Sequence, residues 1–142
     1  MTATRLDGFE HAIHTTNIWL NAVAEAMGTS DRHLSKRALR AWLHGLRDRL
    51  TVDAAAHFGA QLPELLRGVY YDGWDPSVVP VKYDRTTYVN RFAHEARVPA
   101  EDVPQIAPAV TAAVRHQVSP GQLESALEQL PHGVRALLET AP

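Results

Sequence analysis

The chain has 142 residues, 45% hydrophobic and 21% charged, which suits a packed core in one compact domain or two small packed ones. Its formal net charge of −2 argues against overall attraction to nucleic acid or to an anionic membrane. With no cysteine, disulfides, thiolate metal sites and thiol nucleophiles are excluded. The opening MTATRLDGFEH has no basic segment followed by an apolar stretch, and no apolar run reaches the roughly 18 residues of a membrane span. The expectation is a cytoplasmic protein without a membrane partner.

Helix signals dominate from the start. At about 100° per residue, Phe9, Ile13, Thr16, Leu20, Val23, Ala24 and Met27 form one apolar stripe. His11, His14, Asn21 and Glu25 fall opposite, and Gly28 is a stop signal. Asp31 suits the cap of a second helix running to about Leu50, with Leu34, Ala38, Ala41, Trp42, Leu46 and Leu50 inward. Thr51 caps a short helix, and Pro63 opens another, PELLRGVYY. VVPVKY is the only strand candidate, and Pro80 interrupts it.

An internal echo follows. QLPELLR at Gln61–Arg67 returns as QLPHGVR at Gln129–Arg135, 68 residues later. The same offset carries Trp42 onto Val110, Leu46 onto Val114, Arg47 onto Arg115, Leu50 onto Val118 and Thr51 onto Ser119. The expected fold class is therefore all-α, a single domain over 1–142 made of two pseudo-repeats of about four helices each. Repeat one spans 9–71, an aromatic and proline connection 72–85, and repeat two 86–140. Ser119-Pro-Gly-Gln122 reads as a capping box that starts a helix. Pro108 is expected to break or shorten the long helix of the second repeat.

YYDGWDP, Tyr70 to Pro76, falls where the first repeat ends. Asp72-Gly73 is a turn signal, and Asp75 before Pro76 disfavours helix. The stretch reads as a joint whose aromatic rings wedge the connection against the two halves. An aromatic-lined ligand groove is the alternative.

Taken together, ALRAWLHGLRDRL, AAHFGAQLP, LLRGVYYDGWDP and the second QLP at Gln129 resemble a widespread bacterial domain family of unknown function, numbered twenty-two sixty-seven. The resemblance covers nearly the whole chain. It implies an all-helical, duplicated fold. It implies no reaction, so no catalytic residue is carried over from it. The stretch VPQIAPAV makes the second repeat the more divergent one.

No catalytic constellation is readable: there is no P-loop, no GxGxxG, no GxSxG and no HExxH. His11 and His14 are weak metal candidates, because two ligands are too few for zinc. No cofactor is expected. His44, His57, Arg67, Tyr71 and Trp74 are the candidate ligand-binding residues, for a pocket between the repeats. His44 is placed on the polar side of its helix, and His57 is expected to be partly buried. Arg32, Lys36, Arg40 and Arg47 form a candidate basic face on the second helix, with His33 and Arg37 alongside. Arg67 and Arg135 fall near helix ends, where a cation meets free carbonyls.

The leading functional expectation is a non-catalytic module for protein interaction or self-association. A small-molecule or metal-binding protein, conceivably an enzyme, is the first alternative. Nucleic-acid binding through the basic face of 32–49 is the second, and the slightly acidic chain argues against it.

Overall fold

A computed structural model describes the backbone of residues 2–139 and the side chains of 7–139. Among the described residues the chain is all-helical. The order is α1 (Thr2–Met27), α2 (Arg32–Arg49), α3 (Val52–Gly59), α4 (Glu64–Tyr71), α5 (Arg85–Ala96), a 3-10 turn (Ala100–Asp102), α6 (Val103–Gln117), α7 (Gln122–Leu127) and α8 (His132–Glu139). No strand forms at VVPVKY.

The local signals of the first half act as expected. Asp31 Oδ1 accepts from the amides of His33 at 3.0 Å and Leu34 at 3.1 Å, so α2 begins with two of its free N–H groups satisfied. Thr51 Oγ1 accepts from Ala54 N at 3.2 Å and starts α3. Gly28, at φ 70°, ends α1 in the left-handed region. Asp84 caps α5 through Thr87 N at 2.9 Å, and that bond holds its carboxyl below the usual carboxylate range.

The second half departs from expectation at Ser119. Ser119 does not cap a helix. Gly121, at φ 91°, stands before α7, and no side chain caps that helix. Ser119 instead closes a turn through its carbonyl, which accepts from Gln122 N at 3.2 Å. Of the two outcomes expected at Pro108, a broken or a shortened helix, the structure shows the second: α6 runs unbroken from Val103 to Gln117 but has 15 residues against 18 in α2. Pro108 lies in the second turn, where the only intrahelical bond it forfeits is to the carbonyl four residues back, and its ring is buried.

α2 is the central element and packs against α1, α4, α5 and α6. Trp42 is 0% exposed at its middle. From Trp42 a chain of rings runs outward through Phe58, Tyr70, Tyr71 and Trp74, with successive centroids 6.2, 5.9, 5.0 and 5.3 Å apart. These offset and edgewise contacts add to the burial of the rings themselves. Tyr70 Oη donates to Ala55 O at 2.8 Å, which fastens α4 to α3. Gly73, at φ 77°, then turns the chain, and Trp74 N returns to Tyr71 O at 3.0 Å. YYDGWDP is thus the exit of α4, folded onto the core by its own rings.

The apolar stripe of α1 is only half used. Trp19, Val23 and Ala24 are buried, but Phe9 is 68% exposed and Ile13 53%. The expected inward face holds only over the C-terminal half of the helix.

Candidate functional site

The helix pair α2–α5 makes the most distinctive surface of the molecule. The two helices run antiparallel: Arg37, near the start of α2, donates from Nε to Ala96 O at the end of α5 at 2.8 Å, and Gly45 meets Tyr88 near its start. Small residues let the backbones approach. A methyl group at Gly45 would lie 2.8 Å from Tyr88 Cε2, so only glycine fits there. Tyr83 Oη donates to Gly45 O beside it.

Toward the start of α2 and the end of α5, the two helices line an open cleft of about 680 Å³. α2 contributes His33, Lys36, Arg37 and Arg40, at spacings of three and four residues that place them on one side of the helix. α5 contributes Arg91, His94 and Glu95, and Arg97 stands just past its end at φ 59°. Five cations therefore face one carboxylate, in a chain whose net charge is −2.

The pairing within the cleft is uneven. Arg40 holds Asp72 at 2.8 Å and lies 3.5 Å from Glu95. Arg91 holds Asp48 at 2.9 Å, with its guanidinium 4.9 Å from the centre of the Tyr83 ring. Among the described residues no carboxylate lies within ion-pair reach of Lys36, Arg37 or Arg97. Arg37 meets a neutral carbonyl, which directs its head group without cancelling its charge. The cleft thus holds two paired arginines and, among the described residues, three cations without a carboxylate partner, two of them forked guanidinium donors.

His44 lies beneath the cleft, and its placement corrects the expected polar side of the helix. It is buried. Nδ1 bonds Glu95 Oε1, and Nε2 lies 2.7 Å from Val69 O, so one ring joins α2, α5 and α4. Arg47 leaves the expected basic face altogether. It is buried and donates to Asp48 Oδ1, Tyr70 O and Asp72 O, each at 2.8 Å. The free carbonyls at the end of α4 need donors, and Arg47 is the group that reaches them. Arg32 remains exposed but bonds Asn17 Oδ1 at 3.0 Å, away from the cleft. Of the four cations expected on this face, Lys36 and Arg40 line the cleft.

The candidate pocket residues are not brought into one cavity. His57 is exposed, which corrects its expected burial, and lies beside Phe58, Gln122 and Ser125 where α3 meets α7. Arg67 donates to Gly59 O at 3.2 Å and Leu62 O at 2.8 Å, closing the end of α3. Arg135 instead pairs with Glu139 on its own helix at 3.2 Å. Tyr71 and Trp74 belong to the ring chain described above. His11 and His14 are exposed on α1, and among the described residues no three metal-ligating side chains converge.

Sequence reasoning missed the second wall of the cleft, Arg91, His94 and Arg97. Spacing on one helix reveals a basic stripe. It does not reveal which distant helix lies alongside, and α5 begins 36 residues after α2 ends.

An all-helical domain with a cationic cleft is the class that this architecture defines. Residues 16–137 match the family described as Uncharacterized conserved protein (DUF2267), and the chain belongs to that family. No curated protein matches the chain. No helix among the described residues is long and apolar enough to cross a membrane.

Proposed function

We propose that the domain is a non-catalytic binding module whose α2–α5 cleft receives a polyanion carrying phosphate-like groups. The observation that carries this is the convergence on one cleft of Lys36 and Arg37 from α2 and Arg97 from just past α5, none of them with a carboxylate partner among the described residues. Holding unpaired like charges together costs free energy, and a bound anion offsets that cost. Among the described residues the lining has no serine, threonine or cysteine to act as a nucleophile, and Glu95 is engaged by His44 and Arg40. Binding rather than reaction is what such a set of side chains supports.

A compact polyanion fits better than a long duplex. With Arg47 buried and Arg32 turned to Asn17, the charge is gathered around Lys36–Arg40 and the end of α5 rather than spread along α2. We also read the chain as two repeats with a connection over 72–85. Support comes from the helix order, long, long, short, short in each half, and from the shared burial of Trp42 with Val110, Leu46 with Val114 and Tyr70 with Leu138. On that basis the cleft joins the second helix of one repeat to the first helix of the other.

Calorimetric titration with tripolyphosphate tests the proposal. Wild type should bind, with affinity falling as salt rises, and the double variant Lys36→Ala/Arg97→Ala should lose most of that binding without loss of fold. Equal binding by the two proteins, or none by either, would overturn it.

A further inference from the structure

We infer that the chain pairs with a second copy of itself through the N-terminal half of α1. Phe9, Ile13, Thr16 and Leu20 fall within an arc of roughly 60° on that helix. The stripe is continuous with the core, since Val23 one turn further on is 0% exposed, yet Phe9 and Ile13 are 68% and 53% exposed among the described residues. Two large apolar side chains, mostly exposed on one stripe that continues into the core, mark an interaction face rather than scattered surface residues.

The same stripe runs into an acceptor. Thr16 and Leu20 form one wall of an apolar groove of about 270 Å³, completed by Leu39, Leu65, Leu66 and Val69. Leu65 stands at its lip, 44% exposed. Donor and acceptor thus belong to one surface, which is the condition for a two-fold contact in which each copy supplies both.

The spacing is self-complementary. If two α1 helices cross antiparallel, with Ile13 of one facing Thr16 of the other, then Phe9 faces Leu20 of the other copy. That places the Phe9 ring at the mouth of the groove, which has room for it. Charge agrees with this direction. Glu10, next to Phe9, is exposed, and the groove is edged by Lys36 and Arg40. An antiparallel pairing brings the acidic flank of each donor to the basic edge of each acceptor. The contact is small, so the dimer forms and dissociates with concentration. Lys36 and Arg40 also line the anion cleft, so a bound anion competes with Glu10 of the second copy for them, while the apolar contact of Phe9 with the groove needs no anion.

Sedimentation velocity over a range of protein concentrations provides the test. Wild type should shift from monomer toward dimer as concentration rises. Phe9→Ser and Leu65→Arg should each stay monomeric with unchanged helical circular dichroism, because both side chains are exposed. The charge reversals Glu10→Lys and Lys36→Glu should each weaken the dimer, and the two together should restore it. A wild type that is monomeric at every concentration would overturn the inference. So would a dimer that persists in both Phe9→Ser and Leu65→Arg, since it would use another face.

Discussion

Trp42 Nε1 donates to Thr111 Oγ1 at 2.9 Å, a buried bond between residues 69 positions apart that ties α2 to α6. Thr111 Oγ1 in turn donates to Ala107 O at 3.0 Å, so every polar atom of the pair is satisfied. Replacing Thr111 with valine keeps the shape but leaves the indole N–H buried and unpaired, at a cost of about 1–3 kcal/mol. Trp42→Ala removes the ring itself and should cost about 3–5 kcal/mol. Chemical denaturation midpoints check both. An unshifted midpoint for Trp42→Ala would contradict the central place of that ring.

Arg47 is predicted to be structural. Its guanidinium is the donor for two carbonyls at the end of α4 and pairs with a mostly buried Asp48. Arg47→Met should destabilise by about 3–5 kcal/mol, because Asp48 is left without this partner and both carbonyls without donors. The variant should still bind tripolyphosphate at temperatures where it is folded. Lost binding by a demonstrably folded Arg47→Met would return this residue to the basic face.

Gly45 sets the distance between α2 and α5. Gly45→Ala introduces a methyl group 2.8 Å from Tyr88 Cε2, and Tyr88 is buried and cannot swing away. Overpacking of this kind costs about 1–3 kcal/mol. Thermal melting is the check. A gain in stability, as for alanine in an ordinary helix position, would show that the helices do not touch there.

What local chemistry decides was legible in the sequence. Asp31, Thr51 and Gly28 act on the residues next to them, so their roles could be read from spacing alone. His44 and Arg47 could not be placed in the same way. His44 is buried because Glu95, 51 positions away, and the carbonyl of Val69 meet its ring. Arg47 is buried because α4 ends against it. The basic character of α2 was likewise readable at Lys36 and Arg40, whereas the opposing wall at Arg91 and Arg97 depends on the antiparallel packing of α5. Ser119 carried a capping signature that a positive-φ glycine displaced.

Stability should fall in alkali, with a sign fixed by three tyrosines. Burial pushes the hydroxyls of Tyr70, Tyr83 and Tyr88 well above the usual tyrosine range. A folded pKa above the unfolded one means that the stabilising contribution is complete below the unfolded pKa, near 10.0, and is lost as pH rises beyond it. Melting temperature should therefore drop above about pH 10. Three of the four tyrosines should ionise together with unfolding in an ultraviolet titration. Ionisation of all four while helical structure persists would contradict their burial.

Among the described residues Glu95 is the one carboxylate lining the cationic cleft, and it competes with any bound anion for Arg40. Glu95→Gln should tighten tripolyphosphate binding by about threefold to tenfold, the effect of removing one partly screened like charge. It should also cost some stability, because His44 loses a charged partner. Calorimetry and melting measured on the same variant separate the two effects. Weakened binding by the folded variant would mean that Glu95 does not oppose the ligand.

The most direct test of the cationic cleft is an NMR titration of labelled protein with tripolyphosphate, following the backbone amides. The account predicts saturable shifts concentrated on His33–Arg40 of α2 and on Arg91–Arg97 at the end of α5, with little change at α3 or α7. Shifts spread evenly over the surface, or centred on His57 and Gln122, would contradict it.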